Sequence, residues 1–121
     1  MGREQFSGEV KVRWVEDDPR DMVILEDFSF VDSKGRRWIA MEGARINGAS
    51  IPPILWSVIG SPFIGYYRRA SVLHDTYYDN HLRPKTEVDL MFEEAMIADG
   101  VPKLEAHAMY IAVRDFSGGH W

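Results

Sequence analysis

The sequence predicts an α+β domain, in which a small N-terminal antiparallel β-sheet or hairpin is followed by three to four helices. The prediction depends on a change of hydrophobic period near residue 50 of the 121-residue chain. Before that point apolar and polar residues alternate, as in half-buried strands. After it, apolar residues recur at helical spacing between proline, glycine and capping residues. We expect one domain over 1–121, with a β-rich part at 1–46 and a helical part at 47–121.

The β-rich part contains three strand-like segments. In GEVKVRWV, Val10, Val12 and Trp14 alternate with charged residues, so one face of the strand is expected to be buried. MVILEDFSFVD and RRWIAMEG flank a turn at 33–35 that contains a glycine, which predicts a hairpin. EDDPRD is expected to be a polar connection between the first strand and this hairpin.

Capping residues set the expected helix limits. Ser50 and the two prolines after it predict a short helix that ends at Gly60. The later helices are expected at 64–78, at 86–99 with Thr86 as its N-cap and Asp89 in the capping-box position, and at 102–116. Neither a membrane-spanning run of roughly 20 apolar residues nor a signal peptide is visible, and secretion stays open.

The stretch SVLHDTYYDN places the ionisable pair His74 and Asp75 in an aromatic-rich helix. Burial of such a pair costs several kcal/mol unless partners satisfy it. Because a short loop makes the next helix an antiparallel neighbour, Asp89 is expected to approach His74. An imidazole oriented by a carboxylate can act as a general base towards water, and Asp75, pointing sideways, could hold a cation. The alternative is a polar bridge that only locks the two helices together.

Two further interpretations concern residues 47–50. Their backbone amides and the Asn47 side chain could face the His74 site, or they could form only a turn and a helix cap. Ser50 could act as a nucleophile with His74 as its base. The chain lacks the Gly-x-Ser-x-Gly elbow that usually presents such a serine. Both interpretations of this loop stay open at the level of sequence.

Four segments together resemble an uncharacterised family encoded by phages and bacteria: INGASIPPILW, YYRRASVLHDTYYD, VDLMFEEAMIADGV and MYIAVRDF. The resemblance covers about residues 20–121. It implies the fold and little about function, because the family is a domain of unknown function. It also implies a phage or prophage protein in the cytoplasm of an infected bacterium or in a virion, with a phage or host protein as a possible partner.

The segment LHDTYYDN, together with VDLMFEEAM, more distantly resembles the active-site helix pair of secreted phospholipases of the A-two type. The resemblance implies that His74 activates water, Asp75 binds calcium and Asp89 orients His74, with Tyr77 or Tyr78 bonded to Asp89. In that family a glycine-rich loop supplies further calcium ligands. The candidate here is the stretch formed by Asn47, Gly48, Ala49 and Ser50, which has one glycine and no framing cysteines.

Composition and the remaining histidines limit the kinds of site and partner that the chain can have. The absence of cysteine excludes disulfides and cysteine-ligated zinc. The net charge of −5 gives no basic surface for nucleic acid, so no such partner is expected. His107 is expected in the core with Leu104, and a zinc site formed by His74, Asp75 or Asp79, and His107 is a fallback without a recognised ligand spacing.

Two functions from different classes are therefore predicted. One is a metal-assisted hydrolase of an ester or other acyl bond with a lipid or ester substrate, for which the apolar segment 52–67 could supply an acyl-chain groove instead of core. The other is a non-catalytic phage structural, lysis-associated or host-interaction protein, in which His74 and Asp89 form a structural bridge. A hydrolase needs His74 to open into a cleft with one unoccupied ring nitrogen, whereas a structural bridge needs an enclosed and fully bonded ring.

Overall fold

A computed structural model describes residues 5–15, 18–48, 50, 51 and 67–116 of the chain. In this part of the chain, antiparallel strands precede three helices, which confirms the predicted α+β class. The strands are β1 (Val12–Val15), β2 (Asp18–Ile24), β3 (Phe28–Val31), β4 (Arg37–Ala40) and β5 (Arg45–Ile46). The helices are α1 (Arg68–Asn80), α2 (Lys85–Ala98) and α3 (Lys103–Phe116).

The described strands form two small antiparallel sheets, with the order β1-β2-β5 in one and the pair β3-β4 in the other. The expected connection EDDPRD is partly wrong, because β2 already begins at Asp18 and pairs with β1. Trp14 is 62% exposed, although the alternation predicts a buried side chain. β1 lies at the edge of its sheet and its register shifts between Trp14 and Val15, so its outer end extends beyond the core.

The predicted hairpin is present as β3 and β4, and its turn is organised by Asp32. The Asp32 carboxylate accepts hydrogen bonds from the backbone N–H groups of Lys34 and Arg36, both at 2.9 Å, and from Trp38 Nε1 at 3.0 Å. Gly35 has a φ of 81°, a conformation that costs a glycine little. A buried carboxylate thus holds the turn against the core residue Trp38, which has no exposed surface.

Helices α1 and α2 pack side by side across a loop formed by residues 81–84. The apolar stripe predicted for α2 is confirmed, since Val88, Phe92, Ala95 and Met96 are all buried. The predicted Thr86 cap is wrong. α2 begins at Lys85 with Pro84 as its N-cap, which has no polar side chain to cap the helix, and the Asp89 carboxylate of the expected capping box binds His74 and Lys85 instead.

The buried face of α3 differs from the expected one. Its core residues are Ala106, Met109 and Val113, whereas Leu104 is 85% exposed. His107 is also exposed, and its Nδ1 lies 2.9 Å from Glu93 Oε2 of α2, so the expectation of a core histidine is wrong. Both faces of this helix carry apolar residues, and periodicity alone cannot distinguish them. No helix in the described ranges is long and apolar enough to cross a bilayer.

Candidate functional site

His74 lies in the middle of α1 with no exposed surface, and both of its ring nitrogens have partners. Its Nε2 is 2.7 Å from Asp89 Oδ1, and its Nδ1 is 2.9 Å from Ser50 Oγ. A carboxylate can only accept, so Nε2 donates to Asp89, and Nδ1 shares its hydrogen bond with the Ser50 hydroxyl group. The approach of Asp89 to His74 is therefore present as expected. The sequence signal was the 15-residue spacing between them across a tight helical hairpin.

The second oxygen of Asp89 is bound by Lys85, one helical turn earlier. Lys85 Nζ lies 2.6 Å from Asp89 Oδ2 and also donates to the carbonyl oxygen of Val113 at 3.1 Å. Both carboxylate oxygens are thus occupied, one by an imidazole and one by an ammonium group. The ammonium group compensates a carboxylate that is 1% exposed, which makes the burial of Asp89 tolerable.

Asp75 faces the loop that carries Ser50. Its Oδ2 accepts the backbone N–H of Asn47 at 2.8 Å and its Oδ1 accepts the backbone N–H of Ser50 at 3.1 Å. Each oxygen of this carboxylate, which is 1% exposed, therefore satisfies one loop amide. Asp75 and His74 together fix both the backbone and the hydroxyl group of Ser50.

Aromatic rings surround the polar residues. The ring centroid of Phe92 lies 4.8 Å from that of His74, and Tyr78 stacks on His74 at 6.0 Å with an interplanar angle of 23°. Tyr77 points to the sheet, where its hydroxyl oxygen accepts the backbone N–H of Ile39 at 2.9 Å. Tyr77 is therefore not the tyrosine that supports Asp89, and it anchors α1 to β4 instead. Low polarity around the network strengthens each of its hydrogen bonds.

The structure brings together five of the eight predicted site residues through polar bonds: Asn47, Ser50, His74, Asp75 and Asp89. Gly48 belongs to the same loop, with a φ of 79° that favours glycine. Ala49 and the apolar segment at 52–66 lie outside the described residues. Lys85 was missed by sequence reasoning. Its position four residues before Asp89 was the available signal, since such pairs meet on a helix.

The candidate zinc ligands that the structure describes do not form a cluster with one another. Among the residues that the structure describes, no group of three or more histidine, aspartate or glutamate side chains could hold a metal ion. His107, one ligand of the fallback zinc site, is instead paired with Glu93 on the surface. The fallback zinc site is therefore not formed by His74, Asp75 and His107. The Asp79 side chain lies outside the described set.

Comparison with known proteins identifies relatives but no activity. The family described as "Protein of unknown function (DUF1353)" matches residues 22–113. Uncharacterized protein y4jT of Sinorhizobium fredii is 41% identical over 117 residues, which is 96% of this chain and 34% of that protein. Uncharacterized protein y4iH of the same organism is 35% identical over 119 residues, 98% of this chain and 49% of that protein.

The chain thus spans about a third and about half of the length of these two relatives. No solved structure matches the chain. Neither the family description nor the relatives' names mention a phospholipase, a hydrolase or a phage. The resemblance to an uncharacterised family is confirmed, and the more distant phospholipase resemblance stays a prediction.

Proposed function

We propose that this chain, which belongs to the DUF1353 family of proteins of unknown function, acts as a non-catalytic protein-interaction domain. One observation carries the proposal: neither His74 nor Ser50 has any exposed surface, so the ring and the hydroxyl group do not open to solvent. A general base needs a nitrogen that can take a proton from water or substrate. In this arrangement the Ser50 hydroxyl occupies the position that an attacking water would need.

The bonds made by Asp75 support the same proposal. Acyl hydrolysis requires N–H donors aimed at the developing oxyanion. The N–H groups of Asn47 and Ser50, which lie beside the network, donate to Asp75 instead. The loop is therefore held rigidly by its own amides. Its role here is to fix the junction between the β-rich part and the helices, so that the surface around it keeps one shape.

A second candidate is an acyl hydrolase, favoured by the order Ser50–His74–Asp89. In this candidate Ser50 would be the nucleophile, His74 Nδ1 would take its proton, and Asp89 would stabilise the imidazolium that forms. The distances of 2.9 and 2.7 Å suit such proton transfer. Calcium at Asp75 belongs to this candidate, since a carboxylate oxygen keeps a lone pair after accepting one N–H.

Serine-directed labelling with a fluorophosphonate probe separates the two candidates. If the chain is an interaction domain, intact-mass spectrometry should show no labelling of Ser50 in the native protein. Thr86→Ala, which removes an exposed hydroxyl group from α2, is the control and should also stay unlabelled. Ser50→Ala should likewise gain no mass from the probe, and its free energy of unfolding should be lower by about 1–3 kcal/mol, because the hydroxyl bond to His74 is lost.

Labelling that disappears in Ser50→Ala and weakens in Asp89→Asn would establish the hydrolase and overturn the interaction domain. Calorimetry with calcium provides a second test. Binding by the native protein that vanishes in Asp75→Asn would assign calcium to Asp75 and favour the hydrolase. Absence of heat at millimolar calcium, together with absence of labelling, is the expected result.

A further inference from the structure

The outer edge of β3 is covered by residues 5–8, an N-terminal segment that runs antiparallel to it. Ser7 N donates to the carbonyl oxygen of Ser29 at 2.9 Å, and Ser29 N donates to Ser7 Oγ at 2.9 Å. Val31 N donates to the carbonyl oxygen of Gln5 at 2.9 Å, and Gln5 Nε2 donates back to the Val31 carbonyl oxygen at 3.2 Å. The outward backbone groups of β3 are therefore all satisfied by this one segment.

Phe6, in the middle of the segment, contacts both the sheet and helix α1. Its ring stacks on that of Phe28, with centroids 5.9 Å apart and an interplanar angle of 15°, and its centroid lies 4.8 Å from that of Phe30. The guanidinium carbon of Arg69 lies 4.0 Å from the centroid of the Phe6 ring. Arg69 Nη1 also donates to the carbonyl oxygen of Gly8 at 2.9 Å. One side chain of α1 thus holds both the aromatic ring and the backbone of the segment.

Exposed residues join this segment to the rest of the chain. Ser7, Gly8 and Glu9 are all exposed, and the chain is buried again at Val10. Gly8 has a φ of 148°, and a Cβ atom placed on it would meet nothing within 4 Å. A glycine in open space can change its backbone angles at little cost, so it provides a pivot. Segments held by few buried contacts are also those that open locally most easily.

Opening of the segment would uncover a strand edge and two core rings together. The N–H and C=O groups at Ser29 and Val31 would lose their partners, and the rings of Phe28 and Phe30, now at most 1% exposed, would meet solvent. An unpaired edge of this kind readily pairs with an extended segment of another chain. A second copy of this chain carries a segment that fits, because its residues 5–8 would restore each of these bonds and ring contacts.

We propose that two copies of this chain exchange residues 5–8, so that Phe6 of each copy binds the β3 edge and Arg69 of the other. Exchange of an identical element is a low-cost route to a dimer with two-fold symmetry. The single copy and the dimer share the same contacts at the edge, so protein concentration and the pivot at Gly8 set the balance between them. The inference goes beyond the proposed interaction function and does not depend on the His74 network.

Cross-linking between single-cysteine variants tests the exchange, since the native chain has no cysteine. Ser7→Cys protein is mixed at high concentration with isotope-labelled Ser29→Cys protein, left to equilibrate and treated with a short bis-maleimide. Because Ser7 lies opposite Ser29, exchange brings together the thiols of different copies. Mass spectrometry should show a mixed-isotope dimer at about tenfold or more the yield from a Ser7→Cys and Thr86→Cys mixture, because paired segments hold the thiols at a high effective concentration.

Two aromatic variants distinguish exchange at β3 from association through another surface. Phe6→Ala, introduced into both cysteine proteins, should reduce the mixed dimer to the yield of the Thr86→Cys control, since the segment then lacks the ring that Arg69 contacts. Trp14→Ala removes a 62% exposed ring from β1 and should leave the yield unchanged. Sedimentation of the native chain should show a dimer fraction that rises with concentration and is lost in Phe6→Ala.

A double variant with both Ser7→Cys and Ser29→Cys makes a negative result informative. At low concentration it should cross-link within one chain, which shows that the reagent spans the pair. If it does so while the mixed dimer stays at the control yield, the exchange is overturned. A dimer that persists in Phe6→Ala would overturn it as well, because that dimer would use another surface. None of these outcomes affects the labelling of Ser50, so the exchange and the non-catalytic role of the His74 network can fail separately.

Discussion

Lys85 Nζ lies 2.6 Å from Asp89 Oδ2 and 3.1 Å from the carbonyl oxygen of Val113. A third contact reaches the carbonyl oxygen of Arg114 at 3.3 Å. The two carbonyl groups belong to the last turn of α3. One ammonium group therefore compensates a buried carboxylate on α2 and binds the end of α3, while that carboxylate holds His74 on α1. The three helices meet through this chain of bonds.

Replacement of Lys85 by methionine should lower the free energy of unfolding by about 3 kcal/mol. Methionine retains most of the apolar stem but leaves Asp89 buried without its positive partner. Removing one partner of a buried ion pair destabilises a protein strongly, because the other charge stays buried and uncompensated. Urea denaturation followed by circular dichroism measures the change. Lys103→Met, at an exposed position on α3, is the matched control and should change stability by about 0.5 kcal/mol at most. Equal urea midpoints for the two variants would contradict the assigned role.

Asp75→Asn should loosen the loop that carries Ser50. The asparagine amide keeps one acceptor oxygen, so only one of the two N–H groups that now donate to Asp75 can stay bonded. Loss of a buried hydrogen bond costs about 1–3 kcal/mol. We expect amide hydrogen exchange at Asn47 or Ser50 to become faster by about tenfold or more, with native rates at Gly35, whose N–H bond to Asp32 lies in the hairpin turn.

Unchanged exchange at both loop amides would show that Asp75 does not hold the loop. A general acceleration that includes Gly35 would instead indicate global destabilisation, and the loop would then have no special dependence on Asp75. Comparison with Lys85→Met distinguishes these outcomes, because that variant is destabilised without a change in the loop contacts of Asp75.

The sequence predicted the residues of the site better than their chemistry. Helical spacing and a short connection were enough to bring Asp89 to His74, because both conditions are local. The loop at 47–50 was placed near His74 as one of two alternatives. Which oxygen meets which nitrogen depends on tertiary packing, and so the occupation of Asp75 by two loop amides could not be read from spacing.

The features of the fold that were predicted wrongly also have physical causes. α3 carries apolar residues on two opposite faces, and only packing against α2 selected Ala106, Met109 and Val113 over Leu104. Thr86 fits a capping pattern, but the competing bonds of Asp89 to His74 and Lys85 are stronger because they are buried and charge-assisted. Local capping preferences are worth too little to override such tertiary contacts.

Tyr67 should titrate at an unusually high pH for a tyrosine. Its hydrogen bond to Glu105, together with burial and the negative charge of that carboxylate, raises the pKa of Tyr67 to about 12. The stability that this bond contributes is fully present below the ordinary tyrosine pKa of 10.0 and is lost as pH rises through about 12. Absorbance at the tyrosinate band in a pH titration should lose its late component in Tyr67→Phe and in Glu105→Gln. A native-like late component in Glu105→Gln would contradict this cause.

Asp32→Asn should destabilise the hairpin in a manner that depends on pH. Burial by itself raises the pKa of Asp32, but hydrogen bonds from Trp38, Arg36 and Lys34 outweigh it and hold the pKa below the ordinary value of 3.8. A carboxyl group with a lowered pKa in the folded state stabilises the protein above its unfolded pKa, and this contribution is lost as pH falls through the folded pKa.

The free energy of unfolding of Asp32→Asn should therefore lie about 2 kcal/mol below that of the native protein at pH 7. The difference should shrink as pH falls below the ordinary carboxyl pKa of 3.8, because the native carboxyl group then becomes protonated. Urea denaturation at a series of pH values measures this difference, and Glu42→Gln, at an exposed position after β4, is the control. A difference that stays constant over the acid range would mean that the charge of Asp32 does not stabilise the turn, and its shape alone would then explain the hairpin.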